Sequence, residues 1–227
     1  MKKIKYLAII PARGNSKRIK NKNLKQINKK TLFDYTLSAA INSKKIQKII
    51  VTTDIKKLIK KKTKRVVYLK RPNNLCLDTS KTESAILHSL SFLKKTLNET
   101  CENIILLQPT SPFRNSNDIN NAINYFNSNK FDSLFSGYED KLFLWDKKKR
   151  LKPINFEYKK RKMGDKMKKV IIENGAIFIF NYKKFIKYKV RMFGKIGCFL
   201  MKEKNSIEID TPYDLMLAKS ISKKWKI

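Results

Sequence analysis

Apolar residues follow two rhythms along this chain. The first is the unbroken run at 6–10, stopped by Pro11. A run without polar alternation suits a strand buried on both faces, as in the interior of a parallel sheet. Residues 48–53 repeat the pattern and end at Asp54, and 65–69, 103–107, 131–138, 177–180 and 196–201 predict further strands. The second rhythm is helical. Leu32, Phe33, Tyr35, Leu37, Ala40 and Ile41 mark one helix, and Ile86, Leu87, Leu90, Leu93 and Leu97 form the apolar face of another. Ile119, Ala122, Ile123 and Phe126 point inward from a helix over 116–129. The opening order strand, helix, strand, helix, strand implies a parallel sheet with right-handed crossovers, an α/β class.

Local cap chemistry sharpens some ends. Asp54 reads as the cap of a helix running through Leu58 and Ile59, and Ser80-Lys-Thr-Glu83 as a capping box. Thr211, Pro212 and Asp214 read as cap, first and third residues of a final helix. Residues 183–189 read as a short basic helix or loop. Between 139 and 172 the pattern weakens, and Phe143, Trp145, Phe156 and Tyr158 alternate with basic runs. The stretch is too long for a simple connection and reads as an insertion with its own hairpin or arm. Its aromatics are expected in an interface or core, not as a stacking platform for bases.

Composition narrows the classes. At 227 residues, 41% of them hydrophobic, the chain suits one domain, 1–227, with the arm inside it. No apolar run reaches membrane-spanning length and no secretory leader stands out, so a cytoplasmic protein is expected. Cys76, Cys101 and Cys198 are odd in number and widely spaced, which suits reduced thiols. His88, the only histidine, falls in a helical pattern and reads as structural. The net charge of +35 invites a non-catalytic polyanion- or nucleic-acid-binding reading. The lysines are spread along the whole chain, however, so the charge reads as background composition that attracts anions without a specific nucleic acid.

Candidate chemistry gathers in three loops. After the first strand come Arg13, Gly14, Asn15, Ser16, Lys17, Arg18, Lys20, Lys22 and Lys25. A loop there lies at the carboxyl edge of the sheet, where α/β proteins bind ligands. So many cations repel one another unless an anion sits among them, and a nucleoside triphosphate would fit. Gly14 is the lone glycine, so neither common glycine-rich phosphate motif is present. The second loop, Gln108-Pro-Thr-Ser-Pro112, is stiffened by two prolines and presents the amide of Gln108; Arg114 beyond it reads as a helix-flanking charge. In the third, Ser206-Ile-Glu-Ile-Asp210, extended backbone puts Glu208 and Asp210 on one face. Paired carboxylates need a cation between them, and Mg²⁺ commonly takes one or two carboxylates plus phosphate oxygens.

Ile-Pro-Ala-Arg-Gly-Asn-Ser-Lys-Arg followed by Lys22-Asn23-Leu24 resembles the opening motif of the CMP-sialic acid synthetases, the N-acylneuraminate cytidylyltransferases. The likeness continues in order through Arg71-Pro72, Leu107-Gln108-Pro109-Thr110-Ser111-Pro112, Glu173-Asn174-Gly175-Ala176 and Ile209-Asp210-Thr211. It implies a Rossmann-like three-layer nucleotidyltransferase fold with a mostly parallel central sheet and an inserted dimerisation arm. It implies an Mg²⁺-dependent enzyme joining CTP to a sialic or legionaminic acid type of nonulosonic acid. Pseudaminic acid and 3-deoxy-octulosonate enzymes are the neighbouring alternatives.

By the same resemblance Lys22 and Arg13 are catalytic, and Arg13, Gly14, Asn15, Ser16, Asn23, Arg71 and Thr82 bind nucleotide. Gln108, Asn174 and Arg161 bind the sugar acid, and Asp210 with Glu208 holds Mg²⁺. A homodimer is implied, the arm serving the partner's sugar site. Read from the residues alone, Arg71 is a surface charge, Thr82 part of a cap, and Asn174-Gly175 a turn before a strand. Three departures stand out. Glu208 replaces a usual aspartate, Phe178 a common tyrosine, and Lys160-Arg161-Lys162-Met163-Gly164-Asp165 stands where Arg-Arg-Gln-Asp is frequent.

Overall fold

The computed structural model describes residues 1–59, 63–147 and 150–225. Seven strands form the central sheet: β1 (Lys2–Ala12), β2 (Lys48–Thr53), β3 (Val66–Lys70), β4 (Glu99–Leu106), β5 (Ser133–Asp140), β6 (Val170–Asn181) and β7 (Ile196–Leu200). Their spatial order is β7-β5-β6-β4-β1-β2-β3. All neighbours pair in parallel except β6, which runs antiparallel to both β4 and β5. The sheet is thus mostly parallel, as the apolar runs suggest.

The unbroken run of β1 is explained by two covered faces. Tyr6, Ala8, Ile10 and Ala12 join one core cluster, and Ile4, Leu7 and Ile9 the other. On the first face lie α1 (Leu32–Asn42) and α3 (Ser116–Ser128), which contribute Phe33, Leu37, Ala40, Ile119, Ala122, Ile123 and Phe126. On the second lie α2 (Thr82–Lys95) and α4 (Tyr182–Tyr188), with Ile86, Leu90, Leu93 and Phe185. Fully burying such a side chain contributes about 1.5–3 kcal/mol, so both layers are anchored by the pattern itself. The last helix, α5 (Pro212–Trp225), starts with the expected cap: Thr211 Oγ1 accepts from the Asp214 amide at 3.2 Å, and Asp214 accepts from the Thr211 amide at 2.7 Å. No helix of the described residues is long and apolar enough to cross a membrane.

Four local expectations are corrected. The helix expected through Leu58 and Ile59 is a single 3₁₀ turn, Lys56–Leu58, and Asp54 does not cap it. Helix α2 has Lys81 as its N-cap residue and no side-chain cap, so Ser80 and Glu83 form no capping box; Glu83 instead pairs with Arg191 at 2.8 Å. Arg114 is no flanking charge but is almost wholly buried. The Asn174-Gly175 pair makes no hairpin turn. It sits inside the long strand β6, where the register against β5 shifts between Glu173 and Phe178 and Gly175 takes a φ of +63°. Left-handed backbone suits glycine because it has no Cβ to clash.

The stretch between β5 and β6 is the tip of their antiparallel pair, with Val170 opposite Asp140. A two-residue ladder joins Trp145–Asp146 to Lys152–Pro153. Phe156 stacks edge-on against Phe143 and Trp145, with centroids 4.7 Å and 5.1 Å away, while Leu151, Ile154, Tyr158 and Met163 are exposed.

Candidate active site

Residues following the carboxyl ends of β1, β3 and β4 meet in a cleft of about 500 Å³, within the size range of small-molecule sites. Its walls include Arg13, Ser16, Lys22, Asn23, Arg71, Thr82, Gln108, Glu208 and Asp210. The basic loop and the C-terminal carboxylates, far apart in sequence, therefore share one space.

Four cations of the basic loop, Arg13, Lys17, Arg18 and Lys22, face an acid. Lys22 Nζ donates to Asp210 Oδ1 at 2.8 Å, and Arg18 approaches the other Asp210 oxygen at 3.4 Å. Arg13 donates to the Leu77 carbonyl at 2.8 Å and lies 3.2 Å from Asp78, which Lys17 also contacts at 3.2 Å. These pairs are partly solvated, so their individual worth to folding is small. Their chemical meaning is that two carboxylates occupy the cation positions a polyphosphate would want.

The loop owes its shape to internal ties. Lys22–Leu24 is a 3₁₀ turn entered through left-handed Asn21, which aims Lys22 into the cleft. Asn23 is buried and donates to the Arg13 carbonyl at 2.7 Å, so it both lines the cleft and closes the loop. Gly14 donates its amide to Asp54 Oδ1 at 2.8 Å. That amide is therefore spent on Asp54, and neither Gly14 nor exposed Asn15 is among the wall residues. The nucleotide contacts expected of them are not positioned here. Asp54, which reads locally as a cap, is the missed residue that anchors the loop.

Arg71 is no surface charge. It is buried, and donates from Nε to Thr52 Oγ1 at 3.2 Å and from Nη2 to the Thr52 carbonyl at 2.7 Å. Burial pulls its pKa below the usual guanidinium value, partly offset by Cys76 and Asp54. Thr82, the first residue of α2, reaches the same wall.

On the opposite side, Gln108 and Glu208 converge over Gly175, where an added Cβ would lie 2.8 Å from Gln108 Oε1 and 2.8 Å from Glu208 Oε1. Thr110 Oγ1 donates to Glu208 at 3.4 Å. Burial, then the neighbouring Asp210 charge, push the Glu208 carboxyl above its ordinary value, with Lys22 opposing. Two neighbouring oxygen-donor acids, with the charge of Asp210 adding to the cost of ionising Glu208, fit a hard divalent cation completed by phosphate oxygens. Among the described residues no group of three or more His, Cys, Asp or Glu is placed to hold a metal, so such an ion would lean on its anionic ligand.

Two sugar-site expectations are not met by this placement. Asn174 is buried and does not line the cleft. Its Oδ1 accepts from Ser136 Oγ at 2.6 Å and from the Ala176 amide at 3.1 Å, and its Nδ2 donates to Ser206 Oγ at 3.0 Å. With its amide thus occupied it shapes the bulge rather than binding a hydroxyl. Arg161 lies in the stretch between β5 and β6, its guanidinium 3.8 Å from the centre of the Phe143 ring, and is not a wall residue. Sequence reasoning also missed Asp78 and Arg114, because neither carries a local signature.

Known proteins resemble this chain in sequence and in fold. Residues 7–225 match the family model described as Cytidylyltransferase. The N-acylneuraminate cytidylyltransferase of Escherichia coli O18:K1:H7 is 32% identical over 97% of this chain, which spans about half (52%) of that protein's length. A CMP-N,N'-diacetyllegionaminic acid synthase of Legionella pneumophila is 34% identical over 53% of this chain and 52% of its own. The pseudaminic acid cytidylyltransferase of Campylobacter jejuni serotype O:23/36 is 26% identical over 97% of both chains. Among solved structures, a CMP:2-keto-3-deoxy-manno-octonic acid synthetase complexed with CTP superposes with a TM-score of 0.67 at 13% identity, covering 97% of this chain and 99% of that one. The last likeness bears on fold alone.

Proposed function

From the premise that the chain belongs to the cytidylyltransferase family, we propose that it joins CTP to a nonulosonic acid of the sialic or legionaminic type and releases pyrophosphate. The observation that carries this reading is the shared cleft: Arg13 and Lys22 stand on one wall, Glu208 and Asp210 on another, and Gln108 beside them.

In this reaction the sugar's anomeric hydroxyl attacks the α-phosphorus, a P–O bond to that oxygen forms, and the bond to pyrophosphate breaks. Lys22 and Arg13 would exchange their carboxylate partners for phosphate oxygens and offset the charge that builds there. Arg71 and Thr82, with Ser16, line the part of the cleft assigned to the nucleotide. Gln108 supplies donors and an acceptor to the sugar. Asp210 and Glu208 would hold Mg²⁺, which, when bound, supplies charge neutralisation on the phosphates and lowers the pKa of a hydroxyl. Positioning of this kind accounts for most of the rate in group transfer from nucleotides.

We extend the reading to a homodimer, with exposed apolar residues of the inserted stretch facing a second copy and Arg161 offered to that copy's sugar acid. The free cysteines suit a reducing cytoplasm. A pseudaminic acid substrate remains the second reading, favoured by the likeness over 97% of both chains.

A panel of nonulosonic acids with CTP and Mg²⁺, read by pyrophosphate release, tests the proposal. Release with N-acetylneuraminate or legionaminate derivatives supports it. Release only with pseudaminate selects the second reading, and no release with any acid rejects both.

A further inference from the structure

Arg114 is the largest fully buried side chain described, with 1% of its surface exposed. It follows the stiff Gln108-Pro-Thr-Ser-Pro loop and precedes α3. Its Nη1 donates to the Gln108 carbonyl at 3.3 Å and to the Ala176 carbonyl at 3.1 Å. Its Nε and Nη2 are buried and have no hydrogen-bond partner among the described residues. The acid whose charge acts on it, Asp118, is engaged elsewhere: it accepts from the Asn115 amide at 2.9 Å and from Asn205 at 3.0 Å. Burial pulls the guanidinium down to about 10, so it stays protonated near neutrality.

For folding alone this is a poor choice. A buried cation with unmet donors costs stability that an apolar side chain of similar volume would not. What the cation does accomplish is a bond to two carbonyls from separate segments, one in the loop after β4 and one in β6. One belongs to the residue whose side chain lines the wall. The other directly follows Gly175, the bulge on which Gln108 and Glu208 rest. Ser111 Oγ adds a second tie between the same two segments, donating to the Asn174 carbonyl at 3.2 Å.

We propose that Arg114 is a positioning residue for the acceptor sugar: by clamping the carbonyls of Gln108 and Ala176 it sets the gap between the Gln108 side chain and the Gly175 bulge. The nucleotide side of the cleft, around Arg71 and Thr82, does not depend on this clamp. The inference rests on the reading of the cleft as a cytidylyltransferase site, and names the device that fixes its acceptor half.

Arg114→Met keeps the volume and removes the donors; Arg114→Lys keeps the charge and loses the fork. The measurements are melting midpoint, KM for CTP, KM and kcat for the best acid of the panel, and amide exchange at 108–111 and 174–177. The expected result for Arg114→Met is a midpoint no lower than that of the unaltered protein, faster exchange in both segments, a sugar-acid KM raised about tenfold or more, and a CTP KM within about twofold. Arg114→Lys should fall between the two. An unchanged sugar-acid KM overturns the proposal, as does a rise of both KM values in step with a lower midpoint. Should the methionine variant not fold, the lysine variant is judged by the same criteria. If the unaltered protein releases no pyrophosphate with any acid, the functional reading fails separately. In that event equal exchange in protein and variant removes the clamp as well, and faster exchange in the variant sustains it.

Discussion

Gly175→Ala separates the strain of the bulge from the chemistry it supports. The residue sits at φ +63°, so any side chain there incurs a left-handed penalty of about 1–2 kcal/mol. For a two-state domain of this size each kcal/mol lowers the melting midpoint by about 2–4 °C, giving an expected fall of about 2–8 °C. The new Cβ would also lie 2.8 Å from both Gln108 Oε1 and Glu208 Oε1, and 3.3 Å from Glu208 Cδ. Ordinary contact requires the two side-chain ends to retreat by about half an ångström or more. They are flexible, so the retreat adds little to the stability loss. They are also the groups assigned to the sugar and the metal; a misplacement of about 1 Å can cost about a hundredfold in rate, so a loss of about tenfold or more is expected here. The assay is pyrophosphate release at saturating CTP, beside a thermal melt. Gly164→Ala isolates the backbone penalty in the melt, because Gly164 has φ +57° and nothing within 4 Å of an added Cβ. Activity that falls no further than the folded fraction would refute the convergence of Gln108 and Glu208 on a reacting centre. An unchanged midpoint would refute the strain.

Three further outcomes follow from the same site. Lys22→Ala should leave the melting midpoint nearly unchanged, since its bond to Asp210 at 2.8 Å is partly solvated, but should cut pyrophosphate release by about a hundredfold to a thousandfold; intact CTP-dependent release would remove Lys22 from the mechanism. Asp78→Asn frees Arg13 and Lys17, each 3.2 Å from Asp78, and should lower KM for CTP without raising kcat. A higher KM would mean that Asp78 assists the nucleotide rather than competing with it. Glu208, raised by burial and by Asp210, binds its proton more tightly folded than unfolded, so its contribution to stability is present at low pH and is lost as pH climbs through the raised value. In EDTA, the melting midpoint of Glu208→Gln should therefore gain on that of the unaltered protein as pH rises above the ordinary glutamate value of about 4.3, and a constant gap would contradict the shift.

What was legible in the sequence was what depends on near neighbours. β1 reads as a central strand because both its faces are covered, which leaves no polar position to alternate. The Thr211–Asp214 cap reads correctly because donor and acceptor are three residues apart. Asp54 misleads for the opposite reason: its partner, the Gly14 amide, is 40 residues away, while its own surroundings imitate a cap. Arg114 likewise resembles a solvated flanking charge until a carbonyl 62 residues distant is brought onto it. Asn174-Gly175 has the composition of a hairpin turn, and only pairing with β5 turns it into a bulge.

The same distinction bears on the competing class, a non-catalytic polyanion binder. Charge count alone favours it, because lysine and arginine are visible one by one whereas their partners are not. Folding brings Asp210 against Lys22 and Arg18, and Asp78 against Arg13 and Lys17. A groove meant for a continuous polyphosphate backbone gains nothing from carboxylates among its cations, since each would repel the ligand it is built to hold. A site for one short triphosphate does gain. Its cations stay ordered before the ligand arrives, and its acids have a second use beside Glu208 if a divalent ion enters with the nucleotide. The pairing of opposite charges within one cleft, more than the excess of positive charge over the surface, is therefore the physical ground for preferring catalysis.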